Sequence, residues 1–277
     1  MLIDPRRLRF EPHPVFETPP DDATLSRYMT LPKYLSLLTG RYLFFCRVDG
    51  LGDRFEGSFP TGHFEEVRRD MEAALKDSPV LAIKGVSRED LAKSMLRDQR
   101  GFHAATRACA AASCWHEGET ESAALWSMYS GADSGICLRS TTARLKRALT
   151  GVAGGETELP YFLGRLRYVD YRTARMPREN VLWPLTFKRK SFEHEREVRA
   201  LIVDYSRLSN ALPEDLESVA IPAGGLAVIV QVEDLVSEVL VSPSAPAWYA
   251  EAVLSATERL GLRFPVRVSE MAEAPEF

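Results

Sequence analysis

The sequence predicts a single α+β domain over residues 23–277: a mixed central β-sheet flanked by helices, with a helical insertion near residues 62–110. Three observations lead there. Apolar runs of strand length, such as RYLFFCRV at 41–48, LAVIVQV at 226–232 and EVLV at 238–241, are spread along the whole chain. Segments of helical period lie between them without the regular spacing of βαβ units. No repeat, low-complexity tract or linker divides the chain, and 277 residues at 45% hydrophobic content are enough for a large core.

Residues 1–22 carry Pro5, Pro12, Pro14, Pro19 and Pro20 and read as an irregular N-terminal arm. A short strand is expected at 25–29. Thr30 then suits the N-cap of a helix in which Leu31, Tyr34, Leu35 and Leu38 share a face, with Gly40 as its stop. Residues 41–48 form a buried strand, followed by a glycine-rich turn at 49–57 that leaves Asp53 and Glu56 at the strand's end.

In the insertion, residues 63–76 are amphipathic. Ser87 and Asp90 resemble a capping box for a helix to about Arg97, and a further helix is expected over 101–110. A strand at 111–115 leads into an acidic loop at 116–121. Ser122 caps a helix to Tyr129 that closes near Gly131, and a strand follows at 135–139. A helix is expected from Thr141 or Thr142 to Leu149, a loop over 151–158 and a strand over 163–171. Residues 177–191, with Trp183 and Pro184, suit a broken helix. The remainder reads as a loop at 210–217, strands at 226–232 and 238–241, a helix at 246–260 closed by Gly261, and a last strand at 266–268.

The net charge of −4 argues against a broadly basic nucleic-acid surface. No run approaches the roughly 20 apolar residues that span a bilayer, so no membrane partner is expected. The first residues lack the apolar core of a signal peptide, and Cys46, Cys109, Cys114 and Cys137 show no C-x-x-C spacing. A cytoplasmic protein with reduced thiols is expected. The five histidines have no metal-ligand spacing, and phosphate-loop, nucleophile-elbow and dinucleotide fingerprints are absent. Residues 151–155 contain glycines but lack the strand-to-helix context of a phosphate loop.

The chain's most unusual stretch is 187–205, FKRKSFEHEREVRALIVDY. Charge at the entrance of a buried run is costly unless it is paired or used on a ligand. A helix to about Arg196 and a central strand from Glu197 would set Glu197 and Arg199 on one face at that strand's mouth, with Glu195 just before it. Trp126 and Tyr129, three apart, share a helical face on which a flat ring or sugar could stack. The basic triplet 188–190 could pair with phosphates but reads first as a solvated helix end, and His116, beside acids in a loop, could serve as a general base but reads first as an exposed, inert histidine.

Four pieces in order carry a family resemblance. They are Arg27-Tyr28-Met29; Leu43-Phe44-Phe45 with Gly52 to Glu56; residues 125–130 with 135–138; and the E-x-E-x-R core of Glu195, Glu197 and Arg199. Over about residues 25–241 the chain resembles the bacterial and phage family catalogued as domain of unknown function 2971. It departs from that family at Gly52-Asp53-Arg54, where Asn-Asp-Pro is usual. A looser likeness is to ADP-ribosyltransferase-like folds. That likeness implies NAD as substrate, with Arg27 or Tyr28 opening the site, Trp126 or Tyr129 clamping nicotinamide, and Glu197, preceded by Glu195, as the late glutamate. Glu238 is a rival for that role, and Asp53, Glu56 and Arg199 complete the polar pocket. The same carboxylates would equally suit a hydrolase of nucleic acid or nucleotides. A non-catalytic ligand-sensing or partner-binding module in stress or phage defence is the third reading.

Overall fold

In the computed structural model, which describes residues 1–4, 8–76, 87–129, 134–150, 159–208 and 218–275, the expected irregular arm supplies two short strands, β1 (Leu2–Ile3) and β2 (Leu8–Phe10). Their apolar residues Ile3 and Leu8 are buried in the main core, which is why an otherwise proline-rich arm pairs with the sheet. Strand β3 (Thr24–Thr30) runs directly into helix α1 (Leu31–Gly40), with Pro32 in the first turn. Thr30 occupies the N-cap position, but its hydroxyl makes no capping bond. The helix stops one residue later than expected, on Arg41 in the left-handed region (φ 51°) rather than on Gly40. Strand β4 (Tyr42–Arg47) follows.

The insertion contributes α2 (His63–Ala74) and α3 (Arg88–Ala108). The two helices expected over 88–110 are one continuous helix. A mid-helix Gly101 costs only about 1 kcal/mol, and the apolar face continues past it. Its start is as expected: the Ser87 hydroxyl accepts from the Asp90 N–H at 3.0 Å. Strand β5 (Ala110–Glu117) extends into the expected acidic loop and takes His116 with it. Then come α4 (Ala123–Tyr129), β6 (Gly135–Thr141), α5 (Thr142–Leu149), β7 (Leu159–Arg165) and β8 (Arg167–Val169).

The expected broken helix over 177–191 is mostly not helical. It holds a single 3-10 turn at Trp183–Thr186, then strand β9 (Phe187–Arg189) and a second 3-10 turn, Lys190–Glu195. Strand β10 (Glu197–Val203) begins where expected and is buried throughout. β11 (Leu226–Ile229), the short α6 (Val232–Leu235), β12 (Glu238–Val241), α7 (Ala247–Arg259) and β13 (Val266–Val268) complete the chain. The expected helix end near Gly131 and the loops at 151–158 and 210–217 lie outside the described residues.

Eleven of the strands form one mixed sheet with helices on it, so the α+β fold class holds. Its branch point positions the site. β5 pairs with β10 antiparallel from Ala110–Val203 to His116–Glu197. Along its other edge it meets two strands in turn: β4 at Ala111 and Ala112, and β3 at His116 and Glu117. Between them Ser113, Cys114 and Trp115 have no ladder partner on that edge. β4 goes on to pair with β11, and β3 with β6, so the sheet forks. The two-residue period sends Trp115, Val198, Ala200 and Ile202 into the main core and Ala112, Leu201 and Val203 into a second core on the opposite face. Glu197, Arg199, Cys114 and His116 fall on that second face.

Candidate functional site

A cavity of about 490 Å³ opens at the fork. β5 lines it through Cys114 and Trp115, in the stretch without a ladder partner on that edge, and through the adjoining His116. β3 and α4 supply one wall through Arg27, Tyr28 and Tyr129. β4 and its following loop supply the other through Phe44, Cys46, Asp53 and Glu56. Lys188, Phe192, Glu195 and Glu197 also line it, as do Lys33 and Ser36 of α1 and Tyr42 of β4.

The acidic side is a buried ion network. Lys188 Nζ lies 2.5 Å from Glu195 Oε2, 2.8 Å from Glu197 Oε2 and 3.2 Å from Glu56 Oε1. Arg199 Nε donates to Glu197 Oε1 at 2.8 Å, and its NH2 reaches Glu56 Oε2 at 2.9 Å. Tyr129 Oη donates to Glu195 Oε1 at 2.8 Å. Three carboxyl groups thus share two cations beside the cavity. Burial alone would raise the Glu197 carboxyl, but Arg199 and then Lys188 outweigh it and hold Glu197 below the ordinary carboxylate range. Burial would likewise lower the Lys188 ammonium, yet Glu197 and Glu56 push it up. Both groups therefore stay charged at neutral pH. Burial, then the bond to Glu195, raises the Tyr129 phenol and keeps it a donor. A left-handed Arg196 (φ 40°) turns the chain between Glu195 and Glu197 so that both reach Lys188.

Asp53 is held apart from this network. Its Oδ1 accepts the Phe55 N–H at 3.0 Å, and Arg189 grips both of its oxygens, with Nε 2.9 Å from Oδ2 and NH2 2.8 Å from Oδ1. Among the described residues no group of three or more His, Cys, Asp or Glu is placed to hold a metal ion. The point shared by Glu56, Glu195 and Glu197 is filled by the Lys188 ammonium.

Arg27 is the counterpart. It spans the fork: NH1 donates to Ser113 Oγ at 2.7 Å and NH2 to the Phe44 carbonyl at 3.2 Å, with the guanidinium over the Trp115 ring. No carboxylate among the described residues pairs with it, and burial pulls its pKa down. His116 Nδ1 lies 2.7 Å from the Glu195 carbonyl oxygen. A carbonyl only accepts, so Nδ1 carries the proton and Nε2 keeps its lone pair. Burial lowers the His116 pKa and favours this neutral form.

Eight of the ten residues singled out in the sequence line or support this cavity, and two do not contact it. Arg27, Tyr28, Asp53, Glu56, Tyr129, Glu195 and Glu197 line it. Arg199, 1% exposed, stands behind Glu197 and Glu56 and positions both. Trp126 packs behind Tyr28, its ring edge-on at 5.0 Å and its Nε1 donating to Glu121. Glu238 lies on β12, opposite Arg139 of β6 and away from the cavity. Lys188, read first as part of a solvated helix end, and His116, read first as exposed, are both buried. Lys188 sits in the middle of a three-residue strand, and only pairing with β8 turns it inward.

No protein-family model matches the chain, and searches of curated proteins and of solved structures found none similar to it.

Proposed function

We propose that the fork cavity binds a nucleotide of the NAD type and cleaves its nicotinamide–ribose bond, by transfer or hydrolysis. The observation that carries this reading is that one cavity is lined both by an Arg27 guanidinium lacking a carboxylate partner among the described residues and by Glu195 and Glu197, which are held by Lys188. Arg27 suits a pyrophosphate. Breaking the glycosidic bond builds positive charge on the ribose, which a fixed carboxylate stabilises, and Glu197 is held ionised for that role. Glu195 would accept a ribose hydroxyl beside the Tyr129 phenol, and Tyr28 and Phe192 offer aromatic faces for a ring.

The looser likeness to ADP-ribosyltransferase-like folds supports the same reading. Hydrolysis through a metal held by the carboxylates has less support, because Lys188, Arg189 and Arg199 already occupy them.

Nicotinamide release from NAD, followed in wild type and Glu197→Gln, tests the reading. A loss of about 10²-fold or more in the variant is expected for a group that stabilises transition-state charge. Thermal unfolding of the variant separates lost chemistry from lost fold, and Glu195→Gln provides a second probe. No release from the wild type, or equal release from both, would remove the proposal.

A further inference from the structure

The lysines and arginines that line the cavity among the described residues are Arg27, Lys33 and Lys188. Lys188 is taken up by Glu56, Glu195 and Glu197. No acidic side chain among the described residues pairs with Arg27 or with Lys33.

Helical spacing turns Lys33 towards the cavity. Lys33, Ser36 and Leu37 stand at i, i+3 and i+4 on α1, and all three line it. The first turn of α1 carries no acid that could hold the ammonium locally. β3 runs directly into α1, so Arg27 and Lys33 flank one joint of the chain. Both also act on β4. Arg27 NH2 donates to the Phe44 carbonyl, and two residues on, the Cys46 thiol lines the cavity. Burial and then Asp49 push that thiol up, and Arg27, Arg47 and Lys33 oppose them. Arg47 is already paired with Asp49, at 2.6 Å. The two cations without an acid therefore share the field around one cavity-lining side chain.

An exposed lysine without a partner is ordinarily a solvated charge. This one lies on the cavity face of its helix and adds to the field of Arg27. Phosphates are repelled by Glu195 and Glu197 and drawn to Arg27 and Lys33. An arginine offers a rigid fork and a lysine a point charge on a flexible four-carbon stem, so the pair suits two neighbouring phosphates better than one. Resting on the nucleotide reading above, we propose that Lys33 is the second phosphate contact of the cavity, and that with Arg27 it selects a ligand carrying a diphosphate over one carrying a single phosphate.

Calorimetric titration of NAD, inorganic pyrophosphate and nicotinamide mononucleotide into wild type, Lys33→Met and Lys33→Arg is the experiment. Lys33→Met should weaken NAD and pyrophosphate about fivefold at low ionic strength. That loss should shrink at high salt, where exposed charges are screened. The mononucleotide, whose single phosphate goes to Arg27, should change by less than about twofold. Lys33→Arg keeps the charge and should bind NAD within about twofold of wild type. Lys33 is exposed, so both variants should melt with the wild type. Equal NAD affinity in wild type and Lys33→Met would overturn the role of Lys33 and leave the cavity reading standing. An equal loss for NAD and the mononucleotide would overturn the selection of a diphosphate. A wild type that binds pyrophosphate through Lys33 but does not bind NAD would keep the diphosphate site and remove the nicotinamide reading. A wild type that binds neither would overturn both.

Discussion

Replacing Lys188 with Met removes the cation shared by Glu56, Glu195 and Glu197 while keeping a long, unbranched side chain. Arg199 then remains the cation of Glu56 and Glu197 alone, and the Glu195 carboxyl keeps only the Tyr129 hydroxyl as a side-chain partner among the described residues. Breaking a buried pair by deleting one partner costs about 3–5 kcal/mol, because the charge left behind is uncompensated. With an unfolding entropy of about 2.1 cal/mol/K per residue, a loss near 4 kcal/mol lowers Tm by roughly 7 °C in a chain of this length. The penalty should also depend on pH. Without the ammonium, a carboxyl of the cluster has a folded pKa above its unfolded value. The variant's deficit is therefore small below the unfolded pKa and grows as pH rises through the folded one. Urea unfolding at pH 5 and pH 8 measures both effects. Adding Glu195→Gln should recover part of the loss by removing the excess charge. A Lys188→Met protein within about 1 kcal/mol of wild type at pH 8, with no rescue in the double variant, would refute the network as a coupled unit.

Stability should also fall with acid in a window set by the insertion. His63 and His103 flank the Phe59 ring at 4.0 and 4.5 Å, their Nε2 and Nδ1 atoms have no hydrogen-bond partner among the described residues, and burial lowers each pKa from 6.5 to about 4. A depressed histidine pKa means that the unfolded state binds the extra proton. Stability is therefore complete above about pH 6.5 and is lost as pH falls from there towards 4, by up to roughly 3 kcal/mol for a well-buried histidine. His63→Phe should flatten that slope in urea titrations, and an unchanged slope would count against the assignment. At the β7 crossing with the N-terminal arm, Gly164→Ala would place a Cβ 2.9 Å from Phe16 Cβ and 3.1 Å from its Cα. Such overpacking costs about 1–3 kcal/mol, and thermal unfolding at wild-type Tm would show that the arm yields freely.

The parts of the fold legible in the sequence are those whose signal is local. The apolar run from Ala200 to Val203, with Val198 before it, predicted a central strand starting at Glu197, because a strand buried on both faces is mostly apolar on both. Ser87 and Asp90 marked a helix start through a side-chain bond three residues long. Gly101 misled, because its local penalty is smaller than the packing of a continuous helical face. Tyr129, Glu195 and Glu197 were identifiable as aromatic or charged residues at element ends, whereas Arg27 and Tyr28, in the middle of β3, were picked out only through the resemblance. The fork that brings them together was not, since it depends on which edge of β5 receives β3 and β4. Lys188 escaped for the same reason: a lysine in a basic triplet reads as solvated until three distant carboxylates are shown to surround it. Glu238 looked equivalent to Glu197 as a glutamate opening a strand, and only strand order separates them.

The central claim is that one cavity takes a nucleotide through Arg27 at the fork. Calorimetric titration of NAD into wild type and Arg27→Met tests it most directly, since it does not require turnover. Saturable one-to-one binding is expected for the wild type. The variant should bind at least about tenfold more weakly, in line with the roughly 1.5–3 kcal/mol of a hydrogen bond to a charged group. No binding by a folded wild type, or equal affinity in a folded variant, would contradict it.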